Sequence, residues 1–219
     1  MNLRFRNRTE AGELLARKLR GYAHRPDVIV LALPRGGVPV ARVVARHLRA
    51  PLDVFIVRKL GVPGHEELAM GAIASGGVKV LNQPIIDAHH IRPETIERVA
   101  EREHDELIRR DQAYRDDRPP PALRGRTVIL VDDGIATGAT MRAAVKALRM
   151  QKPARIIVAT PTVAHSTYLE MLDEVDDFVA VIIPEAFSGV GEWFDDFSQT
   201  SDDEVRELLK PDWNGHAAA

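Results

Sequence analysis

Cysteine is missing from all 219 residues. A disulfide framework, a thiolate nucleophile and a Cys-based zinc or iron–sulfur site are therefore excluded. No apolar run approaches the roughly 18 residues of a membrane span, and Met1-Asn2-Leu3-Arg4 opens no secretory hydrophobic region, so the expectation is a soluble cytoplasmic protein. The sequence contains no G-x-x-x-x-G-K-[ST], no G-x-G-x-x-G and no G-x-S-x-G. Those absences remove the P-loop, the dinucleotide fingerprint and the hydrolase nucleophile elbow. There is no internal repeat.

What is present is an average globular composition, with 45% hydrophobic and 28% charged residues, which rules out a disordered or fibrous chain. A chain of 24.3 kDa buries about 70% of its surface on folding, enough for one domain with a real core. The net charge of −2 hides an asymmetry: residues 1–60 hold 13 Lys+Arg against 4 Asp+Glu, and residues 171–219 hold 2 against 13. A nucleic-acid binder keeps its basic excess on one exposed face. A basic start matched by an acidic end suggests internal pairing together with a local anion site; two solvated surfaces that merely differ would look the same.

Hydrophobic periodicity reads as alternating helices and strands. A helix is predicted over 9–20 behind a Thr9 N-cap, then a strand over Val28–Leu33 ended by Pro34 and the Gly36-Gly37 pair. A helix over Val38–Leu48 and a short strand over Leu52–Val57 follow. Residues 58–67 read as a Gly/Pro-rich loop, and Leu68–Ala74 with Val78–Leu81 as a hairpin turning at Gly76-Gly77. Residues 93–117 form a long amphipathic helix with Ile96, Val99, Leu107 and Tyr114 on one stripe, and Pro119-Pro120-Pro121 acts as a stiff connector. Strands at Thr127–Val131, Arg155–Thr160 and Phe178–Ile183 alternate with helices at Gly138–Met150, Ser166–Leu172 and Asp202–Leu209. The implied fold class is α/β: a mostly parallel, twisted sheet flanked by helices, with ligands at the carboxyl ends of the strands.

Three strand ends carry unusual sequence. The strongest is Val128-Ile129-Leu130-Val131-Asp132-Asp133-Gly134-Ile135-Ala136-Thr137-Gly138-Ala139-Thr140. A strand emerges into two carboxylates, and a loop of small and hydroxyl residues opens a helix. Small side chains admit an anion to the backbone, and the first N–H groups of the helix have no internal partners. The carboxylates suit neighbouring hydroxyls or a hydrated Mg²⁺ rather than the phosphate itself. A phosphate at one end and a diol or metal beside it describe a ribose 5-phosphate. Next, Leu33-Pro34-Arg35-Gly36-Gly37 can form an anion nest with Arg35 in reach, although alone it is an ordinary turn. Arg58-Lys59-Leu60-Gly61-Val62-Pro63-Gly64 puts two cations at the start of a glycine-bearing loop able to close over an anion. His65-Glu66-Glu67 lacks the second His of a zinc site, and neither it nor His89-His90 is assigned to metal.

The thirteen residues 128–140 resemble the phosphoribosyl-pyrophosphate motif of type I phosphoribosyltransferases at every position. Within that family the chain is most similar to uncharacterised bacterial phosphoribosyltransferase-domain proteins with the same long helix. The resemblance implies that Asp132 and Asp133 hold the ribose 2- and 3-hydroxyls and, indirectly, Mg²⁺. It implies that Ala136, Thr137, Gly138, Ala139 and Thr140 wrap the 5-phosphate, and that Arg35, Gly36 and Gly37 form the pyrophosphate loop, which in this family often holds a non-proline cis peptide. Arg58-Lys59 resembles the opening of the mobile loop of adenine phosphoribosyltransferases, without its second lysine and Leu-Pro. Pro184-Glu185-Ala186-Phe187 resembles the segment that supplies the base-stacking aromatic, here Phe187; Trp193 and Phe194 are alternatives or simply core. A small hood from the termini and residues 183–200 is implied as well. Ala136 stands where the hypoxanthine/guanine members carry Asp, which disfavours those bases.

The activity implied is Mg²⁺-dependent transfer of ribose 5-phosphate from phosphoribosyl pyrophosphate to a nucleobase-like nitrogen acceptor, with Arg35, Arg58 and Lys59 stabilising the leaving pyrophosphate. A non-catalytic phosphoribosyl-pyrophosphate sensor keeps the same acidic motif, and another ribose-5-phosphate enzyme remains open. No nucleic-acid or membrane partner is expected, and homodimer formation is left open.

Overall fold

The computed structural model describes residues 4–115 and 118–210. In chain order its elements are α1 (Arg8–Lys18), β1 (Val28–Ala32), α2 (Gly37–Leu48), β2 (Leu52–Val54), β3 (Val57–Val62), β4 (His65–Ala74), β5 (Val78–Leu81), α3 (Gln83–Ala88), α4 (Pro93–Arg115), β6 (Thr127–Val131), α5 (Ala139–Met150), β7 (Arg155–Thr162), α6 (His165–Met171), β8 (Asp177–Ile182) and α7 (Asp202–Leu209). Residues 116–117, the expected end of the long helix, lie outside the described residues, as does the hood's share of residues 1–3 and 211–219.

Five strands form one parallel sheet in the order β2-β1-β6-β7-β8. Every residue of β1 and of β6 is buried, as expected of strands covered on both faces. Alternation divides their side chains. Val28, Val30, Ala32, Ile129 and Val131 pack with α1, α2, α4 and α7, whereas Ile29, Leu31, Val128 and Leu130 pack with α5 and Met171 of α6. The strand order reverses between β1 and β6, so both loops that leave this pair open into one crevice.

The first helix starts one residue earlier than expected: Asn7, not Thr9, is its cap, and its side chain accepts from Glu10 N–H. A larger correction concerns residues 58–67. They are not an irregular loop but two strands, β3 and β4, paired antiparallel with Arg58 opposite Ile73 and Lys59 opposite Ala72. Pro63 and Gly64, the latter at φ +80°, sit at the tip, the pair that a tight turn with a left-handed third position requires. With β5 this makes a three-stranded arm. The helix α3 was not foreseen in the sequence, being only six residues long. Among the described residues no helix is long and apolar enough to cross a membrane.

The arm is fastened at its stem by a buried charge cluster. Arg115, 2% exposed, donates from Nε to Asp53 Oδ1 at 3.0 Å and from Nη2 to Val54 O at 2.7 Å, and it also pairs with Asp111. Ser75 closes the stem, its Oγ accepting from Ile56 N–H at 3.0 Å and its N–H donating to Ile56 O at 2.9 Å. Removing the cation alone would strand two carboxylates in a poorly solvated place. Arg115→Met should therefore lower stability by about 3–5 kcal/mol, read by urea denaturation; a loss near 0.5 kcal/mol, typical of surface changes, would mean the cluster is solvated.

Candidate active site

The two loops at the switch point touch. Leu33 N–H donates to Val131 O at 2.9 Å, which carries the pairing of β1 and β6 beyond the strands. The peptide bond Pro34–Arg35 is cis, inside the turn where the family resemblance implied one. Gly36 and Gly37 lie directly against the acidic turn. A Cβ at Gly36 would fall 2.0 Å from Asp133 Oδ2, and one at Gly37 would fall 2.8 Å from Val131 O. Glycine is needed here for space, not for its dihedral freedom.

On the other side of the acids, Gly138 adopts φ +73° and opens α5 with no side-chain cap. The first intrahelical bond runs from Arg142 N–H to Gly138 O at 2.8 Å, so the N–H groups of residues 139–141 precede the ladder and point out of the helix end. Two carbonyls of the loop are pulled away from that end: Ala136 O accepts from Thr167 Oγ1 at 2.5 Å and Thr137 O from Arg142 Nη1 at 2.7 Å. Ala136, Thr137, Ala139 and Thr140 are exposed. The result is a cup of small residues at a helix start whose first N–H groups lack intrahelical partners.

Between cup and glycine turn sit the carboxylates. Asp132 Oδ1 accepts from Asp133 N–H at 2.9 Å. Asp133 Oδ2 accepts from Arg8 Nε at 2.8 Å, both side chains only 12–13% exposed. Burial pushes the Asp132 carboxyl well above the usual range, and the neighbouring Asp133 charge pushes the same way. Burial raises Asp133 too, with the Arg8 guanidinium pulling against it. Arg8 is a site residue that sequence reasoning missed. The only trace of it was the charge asymmetry, which the structure resolves partly into ion pairs across the chain, Arg4–Asp195 at 3.6 Å and Arg35–Asp202 at 3.8 Å.

The expected cations do not all converge. Arg35 stands at the glycine turn, within 3.8 Å of Asp202, which also accepts from Tyr114 Oη at 2.5 Å. Burial and that hydrogen bond push the Tyr114 phenol up to about 12. Arg58 donates from Nε and Nη2 to Glu103 of α4 at 2.9 and 2.6 Å. Successive strand residues face opposite sides, so Lys59 lies on the other face of the arm, opposite Ala72. Ala72 lines a cleft of about 240 Å³ between the arm and α5 that reaches Ala139, Arg142 and Lys146.

The segment after β8 folds over the acids. Val190 abuts Gly134, where a Cβ would fall 2.2 Å from its Cγ1. Phe187 is half-buried and stacked against Trp193, ring centres 6.3 Å apart at 20°. Phe194 is core, 2% exposed between the rings of Phe5 and Phe197. His165, also not anticipated, holds Nδ1 3.2 Å from Glu185 Oε2 beside this segment.

A parallel sheet that brings a glycine turn, two carboxylates and an uncapped helix N-terminus together at its switch point defines an α/β protein with its candidate site at the carboxyl edge of the sheet. The chain belongs to the phosphoribosyl transferase domain family, which it matches over residues 6–194. It is 42% identical over 205 residues to a Mycobacterium tuberculosis protein provisionally named a phosphoribosyl transferase, an alignment covering 94% of this chain. It spans about half the length of that curated relative, 46%. The crystal structure of a protein from Thermus thermophilus, TT1426, is 42% identical, with a TM-score of 0.84 over 94% of this chain and 97% of that one. The fold is shared more distantly, at 17% identity and a TM-score of 0.50, with a hypothetical protein from Neisseria gonorrhoeae; the match covers 92% of this chain and 90% of that one.

The closeness of the two loops can be tested directly. Gly36→Ala should cost about 1–3 kcal/mol, because backbone and carboxylate must separate. Gly21→Ala, where an added Cβ meets nothing within 4 Å, should stay within about 0.5 kcal/mol of the parent. Equal denaturation midpoints for the two variants would show that the loops can part freely.

Proposed function

We propose that the protein transfers ribose 5-phosphate from phosphoribosyl pyrophosphate to a nitrogen acceptor. One observation carries the reading: the Arg35-Gly36-Gly37 turn and the Asp132-Asp133 pair are in contact at the switch point, with the helix cup of 136–140 beside them. In this proposal the cup binds the 5-phosphate, the carboxylates bind the ribose hydroxyls, and the glycine turn with Arg35 binds the pyrophosphate. The C1–O bond breaks with its electron pair leaving on pyrophosphate, and the acceptor nitrogen bonds to C1 of an oxocarbenium-like centre. Cationic groups stabilise the charge that grows on the leaving group. The displaced acceptor proton goes to water; no side chain is assigned to it.

The acid pair fits a magnesium ion held through substrate oxygens and waters. Among the described residues no group of three or more His, Cys, Asp or Glu side chains could cage a metal, and Mg²⁺ habitually keeps waters and binds through one or two carboxylates plus phosphates. When bound, the ion would neutralise pyrophosphate charge. Asp132 and Asp133 would hold it indirectly.

Lys59 is the arm cation of this proposal, since its face is shared with Ala72 over the α5 cleft, while Arg58 anchors the arm to α4 through Glu103. Phe187 is proposed to stack on the acceptor, and residues 183–200 with the N-terminal segment to serve as hood. The absence of Asp at Ala136 disfavours hypoxanthine and guanine. A cytoplasmic setting belongs to the same proposal. The second reading, a phosphoribosyl-pyrophosphate sensor, draws on the Arg58–Glu103 pair, which takes one of the two expected cations away from the site.

Pyrophosphate release on adding Mg²⁺, phosphoribosyl pyrophosphate and a panel of nucleobases and other nitrogen acceptors tests the proposal. Release with one acceptor supports transfer; tight binding without release for any acceptor favours the sensor. Asp132→Asn/Asp133→Asn should stay folded yet weaken Mg²⁺-phosphoribosyl pyrophosphate at least about tenfold, or about 1.4 kcal/mol, by calorimetry; unchanged affinity would refute the ribose assignment. Lys59→Ala should lower turnover at least about tenfold with a smaller change in affinity, and equal turnover would reduce β3 to a scaffold.

A further inference from the structure

Arg8 joins three parts of the molecule that are far apart in sequence. Its Nε donates to Asp133 Oδ2 at 2.8 Å and its Nη1 to Ser198 O at 2.7 Å, and its guanidinium carbon lies 4.0 Å from the centre of the Phe197 ring. The site therefore has a roof with two fixing points, Val190 on Gly134 and Ser198 on Arg8. Asn7 caps the helix that carries Arg8, and Phe5 N–H donates to Trp193 O at 2.8 Å just before it. The arginine backbone is thus anchored, and its side chain is sandwiched.

The geometry around Asp133 gives this contact a direction. Oδ2 is wedged between Arg8 and the Gly36 backbone, and a Cβ at Gly36 would fall 2.0 Å from Oδ2 but 3.1 Å from Oδ1. Oδ1 is thereby turned away from the wedge. We propose, on the basis of the phosphoribosyl reading above, that Arg8 is a positioning residue: it fixes the Asp133 carboxylate so that Oδ1 is presented to a ribose hydroxyl, and it ties the segment 196–198 to that presentation. A guanidinium fork, unlike an ammonium, can hold a carboxylate and a carbonyl at once in a set geometry.

A kinetic signature follows from charge. Paired with Arg8, Asp133 is a neutralised acceptor, worth as much to the bound sugar as to the transition state. An interaction made equally in ground and transition states changes KM and leaves kcat alone.

The test is binding and kinetics of Arg8→Met and Arg8→Lys with two probes, ribose 5-phosphate and inorganic pyrophosphate, each with Mg²⁺, followed by phosphoribosyl pyrophosphate turnover where an acceptor is active. For Arg8→Met, ribose 5-phosphate should weaken at least about tenfold while pyrophosphate stays within about twofold, and KM should rise with kcat within about threefold. Arg8→Lys should recover part of the ribose 5-phosphate affinity. If Arg8→Met does not fold, the ratio of the two affinities in Arg8→Lys decides, since general loosening lowers both. An unchanged ratio, or equal weakening of both probes, overturns the positioning role. A parent protein that binds pyrophosphate but no ribose-bearing ligand overturns the phosphoribosyl reading, and the role of Arg8 falls with it.

Discussion

Two backbones meet at van der Waals distance where the sheet order reverses, and the site depends on that approach. Gly36 and Gly37 lie where any larger residue would run into Asp133 or the Val131 carbonyl. The bond from Leu33 N–H to Val131 O holds the loops in register, and the uncapped end of α5 completes the crevice. Space alone requires glycine at 36 and 37. The carboxylates that follow β6 are largely shielded from water, so their charge is costly until something answers it. Arg8 Nε donates directly to Asp133, whereas Asp132 accepts from the backbone N–H of its neighbour. That imbalance separates two adjacent aspartates chemically.

The arm is governed by a second constraint, the period of a strand. Arg58 and Lys59 are adjacent in sequence, yet β3 sends them to opposite faces, one to Glu103 on α4 and one to the side of Ala72. A cation pair that would act jointly on a loop is divided on a strand. The buried cluster around Arg115 and Ser75 fixes the stem of that arm to β2 and α4, so its tilt toward α5 is decided some distance from the site.

Much of the fold was legible in the sequence because its signals are local. The runs at 28–33, 128–131 and 156–159 are uninterrupted and apolar, as expected of strands buried on both faces. The span of α7 agrees with the expected Asp202–Leu209, and the structure shows Ser201 capping it. The arm was misread because Gly61, Pro63 and Gly64 look like loop punctuation. In the structure Pro63 and Gly64 form one hairpin tip, and Gly61 fits where a Cβ would fall 2.8 Å from Glu66 O. Thr9 was misread as a cap because Asn7 offers the same chemistry two residues earlier.

The sequence by itself determined the chemistry offered by each loop: two acids, a run of small residues opening a helix, a glycine pair, and a strand-ending apolar run before each. Those features lie within a dozen residues and act through backbone geometry and side-chain size, so order along the chain is enough to see them. Tertiary structure decided which of them share a site. Arg8 reaches Asp133 across 125 positions and Ser198 across 190, and Val190 comes to rest on Gly134, because α1 and the segment after β8 pack together through Phe5 and Phe194. Long-range contacts of this kind leave no spacing in the sequence; they exist only once hydrophobic burial has brought the two ends of the chain to the same edge of the sheet.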